Sequence, residues 1–254
     1  FRTGQLSRGH STAVYPLEQA EIRPTTAVRM AEGHDFLDFG RAAFAGLKLT
    51  LTAPAEGAKI VVHLGEKLAE PFKVDRKPPG SVRYQRVELV LKPGRHTYTV
   101  PFRAEDRPRM PAEIGAEMTF RYVEIEGSPE RVGTDEARQV AAFYRFDDHA
   151  AFFESSDPRL NAVWDLCKYS MKATGFCGVF VDGDRERLPY EADAYINQLG
   201  YYACDREFTI ARHSHEYLMV NPTWPPEWKH HSVFMAWFDY LYTGDMESLT
   251  AHYD

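Results

Sequence analysis

The sequence predicts a multidomain β plus α protein, in which an antiparallel β-sandwich is followed by a region built from consecutive helices. Apolar residues recur with a period of two over residues 45–146, and after Asp147 the period lengthens to that of a helix. Strands and helices do not alternate along the chain, which excludes a doubly wound sheet and a TIM barrel. We therefore expect a β-sandwich domain over residues 1–147 and a helical domain over residues 148–254.

The β region consists of short apolar runs separated by turns. Leu47, Leu49 and Leu51 occupy every second position of one run, and Val87 and Leu89 do so in another, so one face of each strand should be buried. Turn segments rich in Pro or Gly lie between the runs, at residues 54–57, 78–80, 93–94 and 126–129. This spacing is typical of an antiparallel sandwich.

The helical region opens with a helix-start signal. Asp157 is a good capping residue, and Pro158 suits the first turn of a helix. One helical face then carries Leu160, Val163, Trp164, Cys167 and Met171. Further helices are predicted at residues 191–203, 206–219, 232–242 and 245–253. Trp164 and Trp237 lie in the apolar stripes of these helices, so core packing is expected for both.

Composition limits the classes of partner. The 254 residues include 44% hydrophobic side chains, enough for a sizeable core. The net charge is -7, with the basic residues scattered, so we expect no nucleic-acid partner. Since no apolar run approaches the roughly 20 residues that cross a bilayer, we expect no membrane partner either.

Both ends of the sequence look cut, so we expect a piece of a longer protein. Residues 1–11 lack the apolar stretch of a signal peptide. The compartment stays open, with a periplasmic or secreted location among the options, and so does the oligomeric state.

The cysteines give no sign of a metal centre. Cys167, Cys177 and Cys204 cannot all pair internally, and none has the spacing of a zinc site. We interpret all three as small core residues. No metal and no cofactor are expected.

The densest group of ionisable side chains lies in residues 181–193. This segment holds five carboxylates and two arginines: Asp182, Asp184, Glu186, Glu191, Asp193, Arg185 and Arg187. Gly183 and Pro189 predict a loop, so these side chains can converge on one cleft. Acid catalysis near neutral pH requires a carboxyl group whose neutral form is favoured by burial or by nearby anions, and Glu186 is our candidate. A directly paired arginine would oppose this, so both arginines should point mainly at other carboxylates.

Two other interpretations of this segment stay open on spacing alone. One is a solvated loop of surface ion pairs, each contributing no more than about 1 kcal/mol. The other is a calcium site, although the glycine and final glutamate of an EF-hand loop are not at their required positions.

A second segment, residues 221–231, offers two indoles in a proline-stiffened loop. The apolar face of a sugar ring can lie on Trp224 or Trp228 while its hydroxyls reach polar neighbours. The alternative is that both tryptophans fill the interior of the helix bundle.

These segments resemble the first part of the catalytic domain of bacterial α-L-rhamnosidases (glycoside hydrolase family 78). The most specific element is Glu186-Arg187-Leu188, followed by the aromatic Tyr190 and the acid Asp193. Residues 156–160 and 242–245 extend the resemblance. Residues 36–41, 45–46 and 63–66 are similar to the β-sandwich that precedes the catalytic domain in these enzymes.

The resemblance implies that the helices belong to an (α/α)6 barrel, here truncated because too few helices can be placed after residue 156. It implies Glu186 as the general acid, with Asp182 and Asp193 binding rhamnose hydroxyls. Tyr190 stands at the family's usual tryptophan, and Arg185 substitutes for an arginine normally two residues before the acid. The expected substrate-binding set is Asp182, Arg185, Arg187, Tyr190, Asp193, Trp224 and Trp228.

The function implied is inverting hydrolysis of terminal α-L-rhamnosides, with a rhamnose-containing glycan or glycoside as the partner. A second carboxylate activates water in such a mechanism. It would come from a later helix, so the base is missing here and this fragment should be inactive alone. Two alternatives remain: a carbohydrate-binding module without catalysis, and a related glycosidase of different sugar specificity. A purely structural fragment would show no sugar affinity.

Overall fold

The structure is a computed structural model that describes residues 15–103 and 116–253. Two compact units are present. Among the described residues, the β unit lies within Gln19–Ala142, and residues 15–18 and 143–253 belong to the helical unit. The prediction of an antiparallel β region followed by a helical region is confirmed. The boundary that the sequence predicts at residue 147 stays a prediction.

The β unit contains an eight-stranded antiparallel sheet with the order β1-β10-β3-β9-β4-β7, in which β2 and β8 also pair with β3. β5 and β6 form a separate two-stranded sheet. The strands are β1 (Glu18–Ile22), β2 (Thr26–Ala31), β3 (His34–Ala53), β4 (Lys59–Gly65), β5 (Leu68–Glu70), β6 (Lys73–Val74), β7 (Tyr84–Val90), β8 (Gly94–Thr99), β9 (Met118–Glu126) and β10 (Ala137–Phe143).

The long strand β3 organises the sheet because it changes partners along its length. Its first residues pair with β2 and β9, and its last residues pair with β10 and β8. The register with β9 shifts between Asp38 and Ala43. Gly40 lies in this interval with a φ of +81°, a conformation that favours glycine. The predicted alternation is present, since Leu47, Leu49 and Leu51 are all buried.

In the part of the second unit that the structure describes there are five α-helices and one 3-10 helix. The α-helices are α1 (Pro158–Thr174), α2 (Glu191–Cys204), α3 (Thr209–Val220), α4 (His230–Thr243) and α5 (Glu247–Ala251), and the 3-10 helix is Pro226–Lys229. Asp157 caps α1 as expected, because its carboxylate accepts the backbone N–H of Arg159 at 2.9 Å. α3 begins three residues later than predicted, where the Glu207 carboxylate accepts the N–H of Thr209. Gly244 ends α4 in the left-handed conformation.

The core of the helical unit is formed by side chains from α2, α3 and α4, by Tyr144 directly after β10, and by Phe180 in the connection between α1 and α2. It contains Tyr144, Phe180, Ala194, Tyr201, Tyr202, Ile210, Ala211, Leu218 and Met235. No helix in the described part of the chain is both long and apolar enough to span a bilayer.

Several predictions of core packing are wrong. The predicted apolar face of α1 is not buried, since Leu160 and Val163 are exposed. Trp237 is exposed as well, whereas Trp164 is half-buried against the ring of Phe153. Among the cysteines, Cys177 and Cys204 are buried as expected, but Cys167 is exposed. Helical periodicity identifies an apolar face, but it does not show that another element covers that face.

Candidate active site

A cleft of about 650 Å³ lies in the helical unit. It is bounded by the acidic loop (residues 181–190), the start of α2 and the tryptophan loop (residues 221–229). Its lining residues are Asp182, Arg185, Glu186, Tyr190, Ala192, Asp193, Ile196, Trp224 and Trp228. Every residue predicted for the site except Arg187 is in this set. The cleft therefore brings together a carboxylate cluster and two indoles, as a sugar-binding site requires.

The acidic loop is closed by hydrogen bonds at its base. The backbone N–H of Asp182 donates to the carbonyl of Leu188, and the N–H of Leu188 donates to the Asp182 carboxylate, both at 3.0 Å. Gly183 has a φ of +117°, a backbone conformation that residues with a Cβ atom rarely adopt. These contacts hold residues 183–187 as a compact turn beside the cleft.

Arg187 lies inside this turn rather than in the cleft. Its guanidinium pairs with Asp184 at 2.7 Å and lies 5.5 Å from the ring centre of Phe176, and the residue is only 4% exposed. Its φ of +54° is unusual for a residue with a side chain, and the buried ion pair stabilises this conformation. The geometry gives Arg187 a role in holding the loop and does not bring it to the substrate side.

Glu186 faces the cleft with two partners. The hydroxyl of Tyr190 donates to its Oε2 at 2.6 Å, and the Arg185 guanidinium lies 3.0 Å from its Oε1. Arg187 points at another carboxylate, as the sequence analysis expects, but Arg185 does not. Since the Arg185 side chain is 68% exposed, its ion pair with Glu186 is open to solvent and to an incoming ligand.

Two further carboxylates stand close to Glu186. Burial raises the pKa of Asp182, and the negative charge of Glu186 raises it further. Burial also raises the pKa of Asp193, to which the negative charge of Asp182 adds. Three acids therefore share one partly dehydrated site, which favours partners that supply hydrogen-bond donors, such as sugar hydroxyls.

The aromatic residues form one side of the cleft. The rings of Tyr190 and Trp228 meet edge to face with their centres 5.6 Å apart, and Trp224 lies 6.4 Å from Trp228. Trp224 is 82% exposed, so it does not fill the helix bundle. An exposed indole in a firmly placed loop is suited to stacking on a ring of a ligand.

Sequence reasoning missed Ile196 as a lining residue. Its side chain is exposed in α2, three residues after Asp193 and therefore on the same helical face. That spacing was the available signal.

The β unit contains a group of potential metal ligands that the sequence analysis did not predict. Single ligand atoms of His34, Glu124 and Glu126 lie within 4.8 Å of one another. The guanidinium of Arg76 lies 2.9 Å from Glu124 and 3.5 Å from Glu126, so an arginine supplies positive charge at this point.

Two family models match the chain. The concanavalin-like domain of bacterial alpha-L-rhamnosidases matches residues 28–143, and the 6 hairpin glycosidase domain of the same enzymes matches residues 148–254. No curated protein matches the chain.

Solved structures agree on the fold. The alpha-L-rhamnosidase from Dictyoglumus thermophilum has a TM-score of 0.70 at 16% identity, over 95% of this chain and 28% of its own. The GH78 family rhamnosidase of Bacillus sp. GL1 has a TM-score of 0.64 at 17% identity, over 89% of this chain and 24% of its own. The Streptomyces avermitilis alpha-L-rhamnosidase, solved in complex with L-rhamnose, has a TM-score of 0.53 at 21% identity, over 71% and 16%.

This chain thus spans less than a third of the length of these three neighbours. The two matched segments nevertheless cover most of it, and both models describe domains of one enzyme group. The chain belongs to the bacterial alpha-L-rhamnosidase family of glycoside hydrolases.

Proposed function

We propose that this chain supplies the acid-bearing half of the active site in an inverting α-L-rhamnosidase, an enzyme that cleaves terminal α-L-rhamnose from glycans or glycosides. One observation carries the proposal: Glu186 lines a cleft together with Asp182, Asp193 and two tryptophans. The family membership supports the reaction class. The rhamnose bound in the Streptomyces neighbour supports the choice of sugar.

Glu186 acts as the general acid. It transfers its proton to the glycosidic oxygen as the bond to the sugar breaks. Tyr190 orients the carboxyl group through its 2.6 Å hydrogen bond to Oε2. Arg185 must leave Oε1 before the glycosidic oxygen can approach that atom, because its guanidinium occupies the position. Its exposed position allows a substrate to displace it.

The remaining cleft residues bind the sugar. Asp182 and Asp193 accept hydrogen bonds from rhamnose hydroxyls, and Trp224 and Trp228 present apolar ring faces to the sugar or to the leaving group. Arg187 acts indirectly, by keeping the acidic loop in its turn through Asp184.

The water-activating base lies outside this chain. An inverting mechanism needs a second carboxylate roughly 6.5–9.5 Å from the acid, with room for water between them. We propose that the five helices belong to an (α/α)6 barrel whose later helices carry this base, and that the β unit folds as a sandwich. The exposed apolar side chains of α1 and α4, such as Leu166 and Val233, support the barrel because they offer surface for further helices.

The test uses a longer chain, extended to the length of the structural neighbours, with 4-nitrophenyl and methyl α-L-rhamnosides as substrates. Glu186→Gln should lower kcat on the methyl glycoside by about 10²–10⁴-fold, and by less on the activated nitrophenyl glycoside, which needs less acid assistance. Proton NMR of the first product should show the β-anomer. Glu154→Gln, an exposed carboxylate outside the cleft, is the control.

Unchanged hydrolysis of the methyl glycoside by Glu186→Gln would overturn the acid assignment, and α-anomer as first product would overturn inversion. Cleavage of another glycoside in place of rhamnosides would change the substrate only. Sugar binding that survives the loss of Glu186 without any cleavage by the parent would favour the carbohydrate-binding module instead.

A further inference from the structure

Glu191 is a buried carboxylate that the proposed mechanism does not use. It is the first residue of α2, directly after Tyr190, and it is 1% exposed. Its Oε1 accepts the backbone N–H of Thr223 at 2.9 Å, and its Oε2 accepts the hydroxyl of Thr223. Within the described ranges 15–103 and 116–253, no arginine, lysine or histidine forms an ion pair with it.

The electrostatic setting strengthens these two hydrogen bonds. A carboxylate in the first turn of a helix is stabilised by the positive end of the helix dipole. Hydrogen bonds to an ionised acceptor are also stronger than those between neutral groups. Within the described residues, Thr223 is therefore the hydrogen-bond partner of both Glu191 oxygens, and this two-point contact holds Thr223 against the start of α2.

Thr223, the partner of Glu191, lies near the start of the tryptophan loop. Thr223 immediately precedes Trp224, and Trp228 follows five positions after Thr223. Tyr190, the chain neighbour of Glu191, bonds to Glu186 and packs on Trp228. Two adjacent residues at the start of α2 thus connect the acid on one side of the cleft to the tryptophans on the other.

We propose that Glu191 is a positioning residue that holds the tryptophan loop beside Glu186 and Asp193, so that Trp224 and Trp228 line the same cleft as these acids. This inference rests on the proposed function for its meaning in catalysis. Without the Glu191 carboxylate, Thr223 is no longer held, and the loop moves both indoles away from the cleft. The substrate then loses its stacking surface. Glu186 keeps its hydrogen bond from Tyr190, so the acid itself stays in place.

Four variants of the longer chain test this: Glu191→Ala, Glu191→Gln, Thr223→Val and Thr223→Ser. Glu191→Ala should raise KM for a rhamnoside about tenfold, the scale of a misplaced binding group, with kcat within about threefold. Glu191→Gln keeps an acceptor for the Thr223 N–H, and Thr223→Ser keeps the hydroxyl, so both should restore KM to within about threefold of the parent. Hydrogen exchange of residues 221–228 should speed up in Glu191→Ala and in Thr223→Val, and should stay near the parent rate in Glu191→Gln and Thr223→Ser.

Glu154→Ala, which removes an exposed carboxylate, is the matched control. A purely structural Glu191 would lower the unfolding temperature in Glu191→Ala and leave KM unchanged, and that result overturns the proposal. Should Glu191→Ala not fold, Thr223→Val decides, with an expected rise in KM that Thr223→Ser does not show. If the longer chain cleaves no rhamnoside, the proposed function fails, and hydrogen exchange of residues 221–228 still supports or overturns the hold of Glu191 on the loop.

Discussion

The β unit buries its apolar pattern, whereas the helical unit leaves much of its pattern exposed. Along β3, Leu47, Leu49 and Leu51 are fully buried. Along α1, Leu160 is 53% and Leu166 is 65% exposed, and no residue of that helix is buried. Apolar periodicity marks a face in both regions. In the sheet the chain itself covers that face, and in the helices it does so only in part.

The two units also differ in what ties their elements together. Three helices meet around one buried carboxylate, Asp239 in α4, which is 2% exposed. It pairs with Arg212 of α3 at 2.9 Å and accepts the hydroxyl of Tyr202 of α2 at 2.8 Å. Strand β3 contacts its partners through backbone ladders and apolar packing, and its Asp38 also pairs with Arg121 of β9 at 2.7 Å. Helices share no backbone ladder with one another, so the buried Asp239 cluster provides a polar link between α2, α3 and α4.

The largest expected effect comes from breaking this helical junction. Arg212→Met leaves the Asp239 carboxylate buried without its cation, which should cost about 3–5 kcal/mol of stability. Hydrogen exchange should rise in α2, α3 and α4 and stay unchanged in the strands of the β unit. Chemical denaturation with exchange at each segment measures both.

The control for this prediction is Arg159→Met, which removes an exposed partner of Asp157 and should leave stability nearly unchanged. The double substitution Arg212→Met with Asp239→Leu should recover much of the loss, because no buried charge is then left unpaired. Equal stability of Arg212→Met and Arg159→Met would show that the polar junction does not hold the helices.

The second prediction compares one leucine from each unit. Leu49→Ala opens a cavity in the closed core of the β unit and should cost about 2–5 kcal/mol. Leu166→Ala truncates a residue that is 65% exposed, so it should change the free energy of unfolding of this 254-residue chain by less than about 0.5 kcal/mol. Thermal unfolding of the two variants checks the contrast. In a longer chain that completes the proposed barrel, the Leu166 value should rise, and if it does not, α1 does not use this face for packing.

The sequence predicts the elements of the fold better than their packing. A period of two and the Asp157-Pro158 signal are local properties of the chain, so the strands and the start of α1 are predictable. The exposure of Trp237 and Cys167 depends on which elements lie against them, and periodicity carries no information about that.

The candidate site shows the same limit. The acidic loop and the tryptophan loop can be recognised from residue types, and the structure brings them to one cleft. The sequence predicts that both arginines point at carboxylates other than Glu186, but only Arg187 does, because residue types do not show which of the two arginines that flank Glu186 enters the interior. The sequence predicts no role for Glu191, since its partner Thr223 is 32 residues away along the chain.

The smallest expected effect concerns the pH dependence of stability, compared between one acid of each unit, Asp193 and Asp38. Burial and the charge of Asp182 raise the pKa of Asp193 in the helical unit. In the β unit, hydrogen bonds from Arg121 lower the pKa of Asp38. A raised pKa in the folded state means that stability is lost as the pH rises through that pKa, because the unfolded chain releases the proton more readily. A lowered pKa has the opposite sign, so stability is lost as the pH falls through it.

Asp193→Asn should therefore stabilise the chain at neutral pH by about 0.5 kcal/mol, the usual scale for relieving strain at a functional site, and the gain should vanish in acid below the ordinary pKa of an aspartate. Asp38→Asn should destabilise the chain at neutral pH, with a difference from the parent that also shrinks in acid. Urea denaturation of the parent and both variants between about pH 3 and pH 7 measures how the difference in unfolding free energy between each variant and the parent changes with pH. If the two differences changed with pH in the same direction, the prediction would be wrong, because the pKa of Asp38 is lowered in the folded chain and the pKa of Asp193 is raised.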